Sequence, residues 1–489
     1  MTNTKLNTSN KTTYKKITIM KKLIFIICSM LITLASNAQT KQLWGMTSRG
    51  GSNNMGVIFQ FDPATSIFTK KFDFDGVANG AMPYGSLIQA SDGKLYGMTN
   101  QGGANDVGVL FQYDPTTSTF TKKLDFNTSN GANPWGSIIQ ASDGNLYGTT
   151  NYGGLNGAGV LFKYDPATST YAKMVDFNDT NGDYPQCSLM QASNGKLYGI
   201  TTYGGKNRDG SLFEYNLGSN TYSKMIDLFY LNGYGSYGSL VQASDGKLYG
   251  VTGGGAGYGY GVLFQYDPVS ITYIKKIDFS NILGSNGYGP VGSLIQASDG
   301  ELYGATPSGG PSGSSGVIFQ YNPVSSTYTK KIDGFYNYGG YGIWPIGNLV
   351  QTSDGMFYGM TEDGPNSLSA TIFQWDPYNA NPYNAKLTFM LYFIGTNGKS
   401  PTTNNSLIEV TSTGISTDIK NNNTDNTKLF SGKSFIRAEF DGNANVEVYN
   451  LSGLLLKQTH ATNTITIDNL NTGLYILKMN GTAYKVVVE

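Results

Sequence analysis

The chain contains a single histidine, His460, which lies near the C-terminus between Thr459 and Ala461. A Ser-His-Asp or Cys-His arrangement needs this base beside the nucleophile. Histidine-based catalysis and histidine-based metal binding are therefore excluded from the long region that precedes it. Carboxylates are the recurring groups in that region that we consider for chemistry without histidine.

Two sets of carboxylates recur in short turns. One set precedes glycine (Asp92, Asp143, Asp245, Asp299, Asp354) and the other precedes proline (Asp62, Asp114, Asp165, Asp267, Asp376). Asparagine replaces the acid at Asn194 in the first set and at Asn216 and Asn322 in the second. Because asparagine makes the same turns without a charge, we interpret both sets as turn residues that bind local backbone groups.

A third set of acids ends a recurring strand-like phrase and is never replaced by an amide: Asp73, Asp125, Asp176, Asp227, Asp278 and Asp333. We expect these carboxylates to accept backbone N–H groups from the crossing to the next repeat. Calcium binding is the alternative, especially around residues 179–183, although that stretch offers few oxygen ligands at a recognisable spacing.

Five further acids interrupt otherwise neutral loops: Asp106, Asp183, Asp209, Glu362 and Asp363. Two carboxylates can hydrolyse a glycosidic bond without histidine, so these residues keep a carbohydrate-active hydrolase open as an alternative. Glycine doublets such as residues 102–103 lack the Lys-Ser/Thr and the helix start of a phosphate loop. We predict no catalytic residue, no metal and no cofactor.

Four strand-like phrases recur seven times each between residues 42 and 410, one copy occupying residues 86–90, 94–98, 109–113 and 120–126. An aromatic residue in the second phrase recurs every 51 to 55 residues: Trp44, Tyr96, Tyr147, Tyr198, Tyr249, Tyr303 and Tyr358. A period this long indicates supersecondary units, and four strands per unit are typical of a propeller blade. The sequence predicts an all-β, seven-bladed β-propeller over residues 39–411.

The repeats are out of phase with the ends of this region. It begins with a second phrase at residues 42–46 and finishes with a first phrase at residues 406–410. Joined, the two ends complete one blade, which removes the unpaired strand edges of an open array. We therefore predict that the strand at residues 406–410 closes the ring.

The N-terminus has the pattern of a secretory signal: two lysines at 21–22, an apolar run over 23–34 and small residues at 36–38. We predict a signal peptide over 1–38, cleaved between Ala38 and Gln39. Met20 offers a second start, which would make residues 1–19 an over-extended N-terminus. The apolar run is too short to span a bilayer, so no transmembrane span is expected in the mature chain. Cleavage leaves Cys187 as the only cysteine, which excludes an intramolecular disulfide.

The charge is balanced, with 33 basic and 33 acidic residues. This gives no electrostatic reason to expect nucleic acid as a partner.

Residues 412–427 are poor in apolar residues and predict a linker. The alternating phrases of residues 428–489, joined by glycine turns, predict a small β-sandwich. This tail resembles the C-terminal sorting domain of the type IX (Por) secretion system found in Bacteroidetes, through Tyr449, Gly453, Gly473, Tyr475 and Lys485. The resemblance implies export by the type IX machinery and a location outside the cell or on the outer surface of a Gram-negative outer membrane, where the tail is cleaved or retained.

The repeat phrases GSLIQASDGKLYGMT and GVLFQYDP over residues 42–410 are similar to the GloVer tandem repeat of surface proteins. This second resemblance supports the architecture and the surface location, and it implies no reaction.

In a four-stranded meander the connections alternate between the two ends of a blade. The loops between strands two and three and the crossings between blades should therefore share one face, where they vary and are rich in aromatic residues. Variation on a rigid scaffold is typical of recognition. The candidate ligand-binding residues on this face are Trp135, Tyr184, Tyr237, Tyr260, Tyr288, Tyr341 and Trp344.

Aromatic faces beside amides and hydroxyls, with little charge, suit a neutral glycan or a surface protein, although about half of such tyrosines are expected to cover their own blade. The leading hypothesis is a secreted, non-catalytic binding protein for glycan or protein ligands. The alternatives are the hydrolase above and a structural component of a surface layer, and fold alone does not decide between them.

Overall fold

A computed structural model describes residues 41–255, 257, 259–282, 286–310, 316–333, 344–362, 370–377, 387–402, 404–410, 428–432, 435–450, 455–468, 473–479 and 482–488. The signal peptide and cleavage site, Tyr341, Asp363, Gly453 and the linker lie outside these residues. The chain separates into two compact units, and the boundary between them along the sequence lies between Thr411 and Ser412.

Every regular element in the described part of the chain is a β-strand. The strands of the first unit are β1 (Gln42–Thr47), β2 (Val57–Asp62), β3 (Ile67–Asp73), β4 (Ile88–Gln89), β5 (Leu95–Met98), β6 (Val109–Asp114), β7 (Thr119–Asp125), β8 (Ile139–Gln140), β9 (Leu146–Thr150), β10 (Val160–Asp165), β11 (Thr170–Asp176), β12 (Met190–Gln191), β13 (Leu197–Thr201), β14 (Ser211–Asn216), β15 (Thr221–Asp227), β16 (Val241–Gln242), β17 (Leu248–Thr252), β18 (Val262–Asp267), β19 (Thr272–Asp278), β20 (Ile295–Gln296), β21 (Leu302–Thr306), β22 (Val317–Asn322), β23 (Thr327–Asp333), β24 (Pro345–Gln351), β25 (Phe357–Thr361), β26 (Thr371–Trp375), β27 (Leu387–Tyr392) and β28 (Ile408–Val410). Those of the second unit are β29 (Lys428–Gly432), β30 (Phe435–Asn450), β31 (Leu455–Asp468), β32 (Gly473–Met479) and β33 (Thr482–Val488).

The strands of the first unit form sheets of four antiparallel strands, as in the blades of a β-propeller. Seven such sheets occur among the described residues, and six of them consist of four consecutive strands. The remaining sheet has the order β28-β1-β2-β3, in which Leu43 lies opposite Glu409 and Trp44 opposite Ile408. The all-β prediction is confirmed; the closed ring of seven blades stays a prediction that removal of β28 would test.

The core lies between neighbouring sheets, where the second and third strands are almost wholly buried. One cluster joins Tyr96 and Leu110 to Leu146 and Phe162 of the next sheet. A corresponding cluster joins residues at the two ends of the repeat region: Leu43, Phe59, Tyr358, Ile372 and Leu407. Both sides of these strands are buried, which explains why the phrases do not alternate between apolar and polar residues.

The first strand of most sheets is shorter than its phrase. Only residues 88–89 of the phrase at 86–90 form a strand, because the N–H of Ser86 donates sideways to Oγ of Ser137 in the next sheet, at 2.7 Å. The same link continues from Ser137 to Ser188 and from Ser188 to Ser239.

The residue before each of these serines approaches the backbone of the next sheet closely. A Cβ added at Gly136 would lie 2.7 Å from the carbonyl oxygen of Cys187, and one at Gly85 would lie 2.6 Å from that of Gly136. Cys187 occupies one of these positions, where its buried thiol donates to the carbonyl oxygen of Ser236 at 3.2 Å. Burial raises the pKa of this thiol to about 12.

The five strands of the second unit belong to one hydrogen-bonded sheet in the order β29-β30-β32-β33, with β31 also paired to β30. The end strands β29 and β33 contact each other. The sheet therefore curves so that its two end strands pack together, and the β-sandwich stays a prediction.

Candidate functional site

The crossings between sheets and the loops between second and third strands lie on one face, as the meander predicts. Backbone bridges pair a residue of each crossing with a residue of the following loop: Ala81 with Gln101, Ala132 with Tyr152, Asp183 with Tyr203, Tyr234 with Gly254 and Tyr288 with Ser308. We call this surface the loop face. The bridges fix the loops to the sheets, so side chains on them are held in defined positions.

Three tyrosines of the loop face pack together, and we call them the tyrosine cluster. The ring of Tyr184 lies 5.0 Å from that of Tyr152 and 5.9 Å from that of Tyr203, at interplanar angles of 66° and 86°. Tyr152 and Tyr203 are 47% and 50% exposed. The cluster therefore presents aromatic surface to solvent while its central residue, Tyr184, is partly covered.

Asp183 adjoins this cluster, and its Oδ1 is buried without a hydrogen-bond partner. Burial raises the pKa of its carboxyl group and the negative charge of Asp179 adds to the effect, while the backbone N–H of Tyr184 partly opposes it. The Asp183 carboxylate in turn raises the pKa of the Tyr184 hydroxyl. Asp179 itself pairs with Arg208, whose Nη2 lies 3.4 Å from its Oδ2.

Tyr237 and Trp135 are half-buried members of the loop face. Burial raises the pKa of the Tyr237 hydroxyl, and the Tyr203 hydroxyl and the Cys187 thiol add to the shift. Trp135 packs on Tyr84 with ring centroids 4.6 Å apart, and its indole N–H is buried without an acceptor. Trp135 thus contributes more to covering its own blade than to an open surface.

The other predicted binding residues are spread around the face. Tyr260 and Tyr288 form a pair with centroids 5.2 Å apart, and the Tyr260 hydroxyl accepts from Nδ2 of Asn281 at 2.5 Å. Trp344 is 42% exposed, and its carbonyl oxygen accepts the N–H of Glu362. Among the predicted binding residues, the structure packs Tyr184 within the tyrosine cluster, Tyr260 against Tyr288 and Trp135 against Tyr84.

Among the isolated loop acids, Asp106 has a local structural role. Its Oδ1 accepts the N–H of Gly102 at 3.0 Å, and Asn54 makes the equivalent bond to Gly50 at 3.1 Å. Asp209 forms a backbone bridge to Gly204, and Glu362 is exposed. Within the described residues, no three His, Cys, Asp or Glu side chains converge as metal ligands would.

The acids that recur in the repeats bind backbone N–H groups in the structure. For the set that ends the fourth strand, the donor differs from the predicted one. Asp92 Oδ1 accepts the N–H of Lys94 at 3.0 Å, as expected for a turn residue. Asp227 Oδ1 accepts the N–H of Lys206 at 2.8 Å and also binds Lys224 Nζ at 2.6 Å. The donor therefore lies in the loop between second and third strands of the same sheet, so the prediction of a donor from the crossing was wrong.

In the tail, Tyr449 lies on β30, Gly473 and Tyr475 lie on β32, and Lys485 lies on the end strand β33. The hydroxyl of Tyr449 donates to Oε2 of Glu447 at 2.8 Å. Tyr475 lies opposite Asn450 on β30, whereas Gly473 and Lys485 lie opposite Val488 and Ile476 in the β32–β33 pair.

Sequence reasoning did not select Tyr152 and Tyr203 and treated Asp183 as one of several scattered acids. The equivalent bridge positions hold alanine at Ala81 and Ala132. The sequence does contain a signal for Asp183, because two other repeats have alanine at the equivalent position. That equivalence becomes visible only once the bridge register is known.

The comparisons with known proteins agree with the two resemblances. The Gloeobacter/Verrucomicrobia repeat family matches residues 31–191, 126–285 and 230–430, and the secretion system C-terminal sorting domain (Por) matches residues 431–489. No curated protein matches the chain.

Two of the similar solved structures are described as candidate 6-phosphogluconolactonases. That from Bacteroides fragilis is 16% identical with a TM-score of 0.49, covering 76% of this chain and 99% of its own. That from Bacteroides uniformis is 14% identical with a TM-score of 0.48, covering 75% and 99%. A puromycin-hydrolyzing peptidase of Mycobacterium tuberculosis is 9% identical with a TM-score of 0.47, covering 82% and 57%.

The sorting domain directs secretion by the type IX system to the outer surface. No helix in the described part of the chain has the length and apolar character needed to cross a bilayer. Both predicted resemblances are confirmed: the chain belongs to the Gloeobacter/Verrucomicrobia repeat family and carries a C-terminal secretion sorting domain.

Proposed function

We propose that this secreted chain is a non-catalytic binding protein that recognises a glycan through its loop face, with a surface protein as the other ligand class. The carrying observation is the tyrosine cluster, in which two half-exposed rings are held at fixed angles by backbone-bridged loops. Rigid aromatic side chains supply contact area at little loss of conformational freedom. Sugar rings pack their C–H faces on such surfaces.

The proposed organisation assigns residues 1–38 to the signal peptide, 39–411 to the propeller, 412–427 to the linker and 428–489 to the sorting domain. The division of the chain between Thr411 and Ser412 and the family match that begins at residue 431 support separate propeller and sorting domains.

A carbohydrate-active hydrolase is the second candidate, and one observation favours it. A raised pKa is what a general acid requires, and Asp183 has one beside a second carboxylate, Asp179. Against this reading, Asp179 is paired with Arg208, and the other loop acids do not join them.

A glycan-array screen of the mature chain, paired with an assay for released reducing sugar, tests the proposal. Binding without turnover is the expected result. Turnover that is lost in Asp183→Asn would establish the hydrolase instead. Absence of both, with retention at the cell surface, would favour a structural surface-layer component.

A further inference from the structure

The chain's own repeats show that the fold does not require an acid at the position of Asp183. The residue that bridges the following loop is alanine in two other crossings, Ala81 and Ala132, and tyrosine in two more, Tyr234 and Tyr288. Each of these residues makes the same backbone bridge as Asp183. The carboxylate is therefore an addition to a position that the fold fills with uncharged side chains.

This carboxylate is also in an unfavourable environment. Its Oδ1 is buried without a donor, and a buried acceptor without a partner is destabilising. The nearby cation Arg208 is paired with Asp179, and no ion pair joins Asp183 to a lysine or arginine within the described ranges. A ligand that brings a positive charge close to the carboxylate would offset this cost.

The next residue, Tyr184, has a backbone conformation that is unfavourable for its side chain. Its φ is 50°, in the left-handed region that bulky side chains avoid. The residues that follow the bridge in other crossings are Met82, Asn133, Gly235 and Gly289, all with positive φ. Asparagine and glycine adopt this conformation at lower cost, so a tyrosine here is held in a strained position that places its ring between Tyr152 and Tyr203.

We propose that Asp183 and the tyrosine cluster bind the protonated amino group of an amino sugar in a glycan chain. The ammonium group would pair with the partly exposed carboxylate of Asp183 and would be attracted to the faces of the surrounding tyrosine rings. A neutral hydroxyl could supply the donor but not the charge. The inference rests on the proposed glycan-binding function and names the sugar class that this part of the loop face accepts.

The test compares the affinity of the mature full-length chain for glucosamine oligomers and for fully N-acetylated oligomers of the same length, by calorimetry near pH 6. Acetylation removes the positive charge and keeps the sugar ring. The wild-type chain should bind the free-amine oligomer more tightly, by roughly 10- to 100-fold, the range for a hydrogen bond to a charged group. Asp183→Ala should abolish this preference, and the substitution is compatible with the fold because Ala81 and Ala132 make the same bridge.

Asp106→Asn is the matched control, because it removes another acid of the loop face and installs the residue found at Asn54. The preference for the free amine should be unchanged in this variant. Tyr184→Asn, which installs the residue that Asn133 supplies in another crossing, should weaken binding of both oligomers while keeping the fold.

Equal affinity for the two oligomers, or an unchanged preference in Asp183→Ala, would overturn the inference. If neutral glycans still bind the loop face in that case, the proposed function stands without it. If no glycan of either kind binds, both proposals fail together.

Discussion

The backbone N–H of Ser406 donates to Oγ of Ser86 at 2.7 Å, although 320 residues separate the two in sequence. The hydroxyl of Ser86 in turn donates to the carbonyl oxygen of Asn404 at 2.8 Å. The side chain of Asn405 donates to Gly85 O at 2.7 Å. These bonds place the last segment of the repeat region where the other sheets place their own first strands.

The first prediction concerns the pairing of β28 with β1. A chain ending at Asn405 lacks β28 and the buried Leu407 that precedes it, and leaves the edge of β1 unpaired. Its free energy of unfolding should fall by at least the loss of one buried leucine, about 2–5 kcal/mol. The matched control ends at Thr411 and keeps β28. Equal melting temperatures for the two truncations would contradict closure by this strand.

The second prediction concerns the stability cost of Asp183. Removing the desolvated carboxylate in Asp183→Ala should raise the free energy of unfolding at neutral pH by about 1 kcal/mol, since the group is only partly buried. A gain in stability with a loss of ligand preference is the pattern expected of a binding residue.

The pH dependence of this gain follows from the sign of the shift. Because the folded-state pKa of Asp183 is raised above the ordinary value of 3.8, the folded state holds its proton more firmly and the penalty arises as pH increases through the folded pKa. The advantage of Asp183→Ala should therefore disappear below pH 3.8. An advantage that is constant from neutral to acidic pH would show that the carboxylate is not its source.

The third prediction concerns Asp227, which ties the loop carrying Tyr203 to the outer strand β15. Burial favours a higher pKa for this carboxyl group, but hydrogen bonds from Lys224 and from the Lys206 N–H lower the pKa overall. Asp227→Ala should lower the free energy of unfolding by about 1–2 kcal/mol. Because the folded pKa is depressed, this difference should be present above pH 3.8 and should vanish as pH falls through the folded pKa.

Chemical denaturation at several pH values measures this effect. Asp62→Ala is a control at a half-buried turn acid outside the loop face, whose carboxyl accepts the N–H of Ala64. A loss at Asp227 no larger than at Asp62 would mean that the Lys224 and Lys206 contacts do not stabilise the loop.

The fourth prediction uses the close contact between neighbouring sheets. In Gly136→Ala the new Cβ would lie 2.7 Å from the carbonyl oxygen of Cys187, so this change should be clearly destabilising. Gly218→Ala provides a control, since its nearest contact would be 3.4 Å. The buried Cys187 thiol supplies the readout, because maleimide labelling requires local or global opening. Faster labelling is expected for Gly136→Ala alone.

The period of the aromatic residues predicted the four-stranded sheets, because each repeat contains its own strands and turns. The length of the first strand was not predictable, since it depends on Ser86 donating to Ser137 in the next sheet. For the same reason the partner of Asp227 was misassigned: the sequence shows an acid at the end of a strand but not which loop folds over it.

The site was predicted only in outline. The sequence indicates a loop face rich in tyrosine, but ring-to-ring distances depend on the bridge register that brings Asp183 opposite Tyr203. Trp135 illustrates the limit, since an exposed loop tryptophan and a tryptophan packed against Tyr84 look alike in sequence.

The binding affinity of a Tyr152→Ala/Tyr203→Ala double variant tests the central claim most directly. The two rings are the half-exposed surface of the tyrosine cluster, and each aromatic contact contributes roughly 1 kcal/mol. Glycan affinity should therefore fall by about 10-fold or more, while Tyr392→Ala, which removes an exposed tyrosine of the outer strand β27, should bind like the wild type. Unchanged glycan affinity in the folded double variant would contradict recognition by this cluster.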